Sequence, residues 1–217
     1  MDVAIAGGHG QIALRLERLL SGAGHRARAI IRNADHAADV EAAGGEPVVL
    51  DLEALAGLSD LTEVVRGADA VVFAAGAGPG SGPARKRTVD YGAAVKLIAA
   101  AQAAGVGHYV MVSTLGVDRP SSRGDAMRAY FEAKAEAEDA LRASDLTFAI
   151  VRPGSLTNDP GTGRVTVADH LETWGSIPRD DVAAVLMAIL VDVRAAGRTI
   201  ELISGDTPIA DALTPFA

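Results

Sequence analysis

A short apolar run, Val3-Ala4-Ile5-Ala6, leads directly into Gly7-Gly8-His9-Gly10-Gln11-Ile12-Ala13 and then into an amphipathic stretch that ends near Leu20. The turn reads both as Gly-x-x-Gly-x-x-Ala and as Gly-x-Gly-x-x-Ala. Such a turn lets backbone N–H groups and the positive end of a helix dipole approach an anion, and Ala13 allows the helix to pack closely on the strand. A strand-to-helix turn without a ligand would share part of this pattern, so the surrounding order decides the matter. His9 shapes or lines the turn.

That order is a repeating alternation. After the first strand and helix, Arg28 to Ile31 reads as a strand and Ala34 to Ala43 as a helix; Pro47 to Leu50 and Leu58 to Arg66 follow in the same way. Ala70 to Ala74 precedes a long helix from Pro83 to Ala103, and His108 to Val112 precedes another from Asp125 to Ala143. Thr147 to Val151 closes the series. These six apolar runs lack polar alternation, as expected of strands buried on both faces. Right-handed crossovers then predict an α/β fold with a doubly wound parallel sheet, the Rossmann arrangement. Gly22, Gly24, Gly44, Gly45 and Gly105 follow the predicted helices, where a C-terminus favours glycine. Beyond Val151 the alternation weakens, with a strand at Arg164 to Val167, a helix at Arg179 to Val191 and a strand at Thr199 to Ile203. The expectation is one domain over residues 1–217, with 152–178 and 199–217 forming a small substrate cap.

Charge and cysteine content narrow the function classes. Twenty basic against twenty-eight acidic residues give a net charge of -8, a field that repels nucleic acid and anionic membrane surfaces. The chain has no cysteine, which excludes disulfides, thiolate metal sites and a cysteine nucleophile. Its histidines, at 9, 25, 36, 108 and 170, have no metal-ligand spacing, and no metal is expected. With neither a leader-like segment nor an apolar run of bilayer length, a cytoplasmic location is expected.

The second predicted strand ends Ile30-Ile31-Arg32-Asn33. An NAD-specific site usually places an acid there for the ribose hydroxyls, whereas a guanidinium pairs with a 2′-phosphate, so NADP(H) is expected over NAD(H). The bland alternative for Arg32 is a solvated surface arginine. Asp51 and Leu52 end the third strand, where they would meet the adenine, although Asp51 could equally cap the next helix. Ser113-Thr114 ends the fifth strand, and Tyr130 and Lys134 share one face of the following helix. Chance would supply only about 0.04 such tyrosine–lysine pairs in this composition. A lysine beside a phenol can lower its pKa from about 10 toward neutrality, fitting it to move a proton on a carbonyl oxygen during hydride transfer. Ser113 or Thr114 would hydrogen-bond that oxygen. The alternative is a half-buried packing tyrosine and a lysine solvated beside Glu138.

With these residues assembled, the chain resembles the small atypical branch of the short-chain dehydrogenase/reductases, the NAD(P)H-binding or NmrA-like proteins that include biliverdin-IXβ and flavin reductases. The resemblance rests on Gly7 to Ala13, Arg32, Asp51-Leu52, Ala74-Ala75-Gly76, Ser113-Thr114, Tyr130 with Lys134, Val151-Arg152-Pro153-Gly154, and Ile177 to Ala183. It implies that Gly7, His9, Gly10, Gln11 and Ile12 hold the pyrophosphate and that Ala74, Ala75 and Gly76 line the ribose side. It also implies that Lys134 and the segment Arg152-Pro153-Gly154-Ser155, with Pro153 and Ser155, lie beside the nicotinamide half, and that Tyr130, Lys134 and Ser113 are catalytic. For Arg152 the alternative is an ion pair with an acid such as Asp181.

The expected activity is NADPH-dependent reduction of a small carbonyl, quinone or flavin-like compound. A non-catalytic NADP(H) redox sensor is the main alternative, and an epimerase or dehydratase a third. A homodimer is possible by analogy with larger relatives, through the long helices at 83–103 and 125–143. Trp174 either closes the pocket or simply packs.

Overall fold

The computed structural model describes residues 1–78, 80–119 and 124–216. Strand β1 (Asp2–Ala6) runs through the glycine turn into α1 (Gln11–Gly22), and β2 (Arg26–Ile31) through a 3₁₀ turn into α2 (Ala37–Ala42). Next come β3 (Glu46–Val49), α3 (Ser59–Val65) and β4 (Ala70–Phe73). The helix expected over 83–103 has three parts: α4 (Pro83–Arg85), a π-helical segment Lys86–Ala93, and α5 (Ala94–Ala104). β5 (His108–Val112), α6 (Asp125–Arg142) and β6 (Phe148–Pro153) complete the alternation. The remainder is β7 (Ser155–Thr157), β8 (Arg164–Ala168), β9 (Ser176–Pro178), α7 (Arg179–Asp192), β10 (Arg198–Ser204), β11 (Thr207–Pro208) and α8 (Ile209–Ala212).

The sheet order is β11-β8-β10-β6-β5-β4-β1-β2-β3. From β3 to β10 every pair is parallel; β8 and β11 add an antiparallel edge. The chain therefore folds as a mostly parallel, doubly wound Rossmann-type sheet. Its direction of winding reverses at β1, which lies between β2 and β4, and this is where such sheets open a crevice at their carboxyl ends.

Side-chain alternation divides the core into two layers. Val3 and Ile5 pack with Ala13, Leu16 and Leu20 of α1 and with Val182, Leu186 and Ile189 of α7. Ala4 and Ala6 point the other way, toward Leu61, Leu97, Met111 and Leu141. Both layers are buried, which explains why the strands read as unbroken apolar runs.

The C-terminal segment departs from its expected place. Residues 198–204 form β10, a seventh parallel strand beside β6, because Ile200 and Leu202 are fully buried there and α7 supplies the crossover. β7 and β9 pair with each other in a separate small sheet. Among the described residues no helix is long and apolar enough to cross a membrane.

Candidate active site

The glycine turn is shaped by close backbone approach. Gly7 has φ +81°, and a Cβ on it would lie 2.6 Å from the Cα of Ala75; a Cβ on Gly8 would lie 2.6 Å from that of Ala29. Only glycine lets this turn sit between β2 and β4. Gly10 N–H donates to the Gly7 carbonyl at 2.7 Å, and α1 begins with no side-chain cap and no acid in its first turn. The first helical turn thus keeps its N–H groups free of a side-chain cap and of a neighbouring acid, with a dipole that favours an anion such as a pyrophosphate.

A cleft of about 290 Å³ opens here. Gly7, His9 and Gly10 line one side, and Ala74, Ala75 and Gly76 the other. The outer end is formed by Ile30, Ile31, Arg32 and His36, with Leu50 to Glu53 and Arg85 opposite; Val89 and Ala93 of the π segment complete the wall. Gln11, Ile12, Lys134, Pro153 and Ser155 do not line it. Gln11 is exposed at the helix start and Ile12 buried below it, while Pro153 is buried at the end of β6 and Ser155 exposed in β7.

Charge at the outer end is organised by Glu53. Its carboxylate pairs with Arg32 at 3.3 Å and Arg85 at 3.1 Å, and accepts from the Thr88 hydroxyl at 2.7 Å. Burial pushes Glu53 upward, but Thr88, Arg85 and Arg32 outweigh it and hold the carboxyl below its usual range. Asp51 accepts from the Glu53 N–H at 2.9 Å, so it holds this turn and does not cap α3, whose own N-cap position is Leu58. The Lys96 ammonium pins the same turn by donating to the carbonyls of Leu52, Glu53 and Leu55. At the mouth, His9 stacks on His36 at 3.7 Å and pairs with Asp39 at 2.8 Å.

Tyr130 and Lys134 lie on α6 behind the cleft's inner wall. Lys134 is buried, donating to the Val112 carbonyl at 3.2 Å and to that of Ala75, a cleft residue, at 3.4 Å. Its ammonium stands 3.6 Å from the fully buried carboxylate of Asp90. Burial lowers the Lys134 pKa, and Asp90 opposes that. Tyr130 is half-buried; burial first, and Asp90 second, push its phenol up to about 12, against a hydrogen bond with Thr114. The phenol is therefore raised and not lowered, chiefly because burial disfavours its charged form, with Asp90 adding to the rise. Ser113 is buried with its hydroxyl unpartnered among the described residues, and Thr114 is the hydroxyl bonded to Tyr130.

Arg152 is paired, but with neither a ligand-facing group nor Asp181. It forms a two-point bond with Glu138 at 3.0 and 2.7 Å and another with Asp118 at 2.7 Å. Asp181 instead accepts from the Thr162 and Gly163 N–H groups at 3.0 and 2.8 Å. Trp174 is half-exposed, its ring against Gly116 and 5.4 Å from the Arg119 guanidinium. No group of three or more metal-ligating side chains occurs among the described residues.

Sequence reasoning missed Glu53, Arg85, His36, Lys96 and Asp90. Asp90 had a signal, an acid inside the apolar stripe Val89, Ala93, Ala94, Leu97. The others lie on ordinary polar stretches and meet only through folding.

This glycine turn, crevice and parallel sheet define a dinucleotide-binding protein of the Rossmann class. Residues 7–193 match the NAD(P)H-binding family, and the chain belongs to it, within the atypical short-chain dehydrogenase/reductases. It is 40% identical over 214 residues to the uncharacterized sugar epimerase YhfK of Bacillus subtilis, covering 98% of this chain and 99% of that one. A Bacillus halodurans structure assigned as an NAD-dependent epimerase/dehydratase superposes with TM-score 0.91 and 36% identity, over 99% of each chain. ChuY, an anaerobillin reductase of Escherichia coli O157:H7, gives TM-score 0.78 and 25% identity, over 95% of this chain and 98% of its own. The family is oxidoreductase- and epimerase-like, and its cofactor is a nicotinamide dinucleotide.

Proposed function

We propose that the chain is an NADP(H)-dependent reductase of a small carbonyl, quinone or flavin-like compound. The observation that carries this reading is the bond from Lys134 to the Ala75 carbonyl, which sets the Tyr130 and Lys134 pair directly behind a wall of the dinucleotide cleft. When bound, a reduced nicotinamide supplies the hydride. The chain's part is to hold the cofactor and to provide the proton.

The glycine turn and the start of α1 hold the pyrophosphate, and Leu52 with Ile31 offers apolar faces to the adenine. Arg32 and Arg85, gathered on one carboxylate, supply two guanidiniums for a 2′-phosphate, whose double charge competes well with Glu53. Tyr130 serves as proton donor and Thr114 orients its hydroxyl. The reduction named for ChuY supports the direction of the reaction assigned here.

Thermal shift with NADPH and NADH tests the cofactor. NADPH is expected to stabilise more, and Arg32→Ala and Arg85→Ala each to weaken NADPH binding about tenfold while sparing NADH. Equal binding of both cofactors, unchanged by either variant, would overturn the assignment. Turnover is tested by NADPH consumption on a panel of aldehydes, menadione and FMN. Tyr130→Phe is expected to lower carbonyl turnover by about 10²-fold or more. Tight NADPH binding without consumption of any panel compound would instead mark a redox sensor.

A further inference from the structure

We propose that His36 is a third cationic ligand of the cofactor's 2′-phosphate, held in place by its stack on His9 and charged by a proton taken from solvent as the phosphate binds, so that the preference for NADPH over NADH depends on pH. The proposal rests on the NADP(H) reading and deepens it, adding a specificity-determining residue and a bound proton to the two arginines.

His36 closes the 3₁₀ turn Ala34–His36 that follows Arg32 and is fixed by Asn33, whose side chain accepts the Asp35 N–H at 3.1 Å. Arg32 and His36 thereby line the same cleft, together with Arg85. His9 meets His36 from the glycine turn, with the two rings 3.7 Å apart and 13° from parallel. The His9 ring is anchored in turn, because its Nε2 pairs with the Asp39 carboxylate of α2 at 2.8 Å. Among the described residues no hydrogen bond or ion pair engages the His36 ring. The stack holds the ring while its nitrogens are left for a ligand.

The acids around the pair are already engaged. Asp39 is taken by His9, and Asp35 accepts from the Asn33 amide at 3.3 Å. Across the cleft, Glu53 pairs with Arg32 and Arg85, and Asp51 accepts the Glu53 N–H. Beneath the pair the packing is apolar, with Leu14 and Ala37 against Ala29, Ile31 and Val40. Two imidazolium rings face to face at the stack's separation repel each other, and the carboxylate that offsets a charge on the stack lies on the His9 side. A charge on His36 therefore needs a further anion. A phosphate monoester, doubly charged above about pH 6, is such an anion.

When the 2′-phosphate reaches Arg32 and Arg85, a ring nitrogen of His36 takes a proton from solvent and donates a charge-assisted hydrogen bond to a phosphate oxygen. No bond to phosphorus forms or breaks. NADH carries the same pyrophosphate without the 2′-phosphate, so it brings no anion to this end of the cleft and draws no proton there. The preference for NADPH is therefore greatest on the acid side of neutrality, where imidazole charges readily, and falls as pH rises.

The test reads binding and needs no turnover. Dissociation constants of NADPH and NADH are measured by isothermal titration calorimetry at about pH 6.5 and 8.5, at constant ionic strength, where the phosphate is mostly doubly charged throughout. The intact chain is compared with H36Q and with H36F, which keeps a ring on His9 but takes no proton; circular dichroism confirms each fold. In the intact chain the ratio of NADPH to NADH affinity is expected to fall about tenfold between the two pH values, and in both variants to stay near its lower value. At neutral pH, buffers of different ionisation enthalpy are expected to show about half a proton more taken up with NADPH than with NADH, and no such excess in H36F. The same pH dependence in the variants as in the intact chain overturns the proposal. So does an equal pH dependence for NADH, which would put the charge on the pyrophosphate. If R32A weakens NADPH binding while H36Q and H36F do not, the NADP(H) reading stands and the role of His36 alone is refuted. If the two cofactors bind equally at both pH values and R32A changes neither, that reading fails as well.

Discussion

Single residues carry charges that only their surroundings explain. Glu17 of α1 is fully buried with neither oxygen hydrogen-bonded among the described residues, and burial raises its pKa from 4.5 to about 8 against the pull of Arg18. The folded chain therefore holds a proton that the unfolded chain loses above about pH 4.5, so stability falls as pH rises from there toward 8 and levels off beyond. By pH 7 the cost reaches roughly 3 kcal/mol. Glu17→Gln is expected to remove that slope, gaining about 3–4 kcal/mol at pH 7.5 and changing little at pH 4.5, as urea unfolding at the two pH values would show. A slope that survives the substitution would place the titration elsewhere. In the sequence Glu17 is one more polar residue of an amphipathic helix, since helical periodicity does not report what α2 and β3 lay against it. Gly7 is the opposite case: its need for glycine is legible in the motif, and the structure adds the reason, contact with Ala75.

At the scale of elements, strands and helices were largely legible and their junctions were not. Every strand of the parallel run through β6 was expected within about two residues of its place, because unbroken apolar runs admit little else when both sheet faces are covered. The π segment was invisible, since its buried positions fit an α-helical stripe nearly as well. Equally hidden was the ionic junction that ties β6, α6, β10 and the loop after β5. In it Arg152 bonds Glu138 and Asp118 and stands 3.6 Å from Glu201, while Arg119 bonds Glu201 at 2.9 Å and the Leu171 carbonyl at 2.6 Å. Glu138 and Glu201 are fully buried, so Arg152→Leu strips both of a principal cation. It is expected to cost about 3–5 kcal/mol in chemical denaturation. A loss below about 1 kcal/mol would mean that Arg142 and Arg119 suffice.

For the whole molecule, the crevice at β1 couples cofactor binding to global stability, because α1, β2 and β4 all contribute to it. NADPH at about a hundred times its dissociation constant is expected to add roughly 2.7 kcal/mol, a rise of about 5–10 °C in Tm for a domain this size. Gly7→Ala should abolish most of that rise; a full rise in the variant would place the dinucleotide elsewhere. By itself the sequence determined the order of elements, the doubly wound class and the place of the glycine turn, because these depend on local periodicity and on backbone freedom at fixed positions. Tertiary structure decided the rest. It placed residues 198–204 inside the sheet, gathered Arg32 and Arg85 on Glu53, and gave Lys134 to Asp90. Those pairings join residues some 20 to 50 positions apart, and their energies depend on burial and distance, which a linear pattern does not contain.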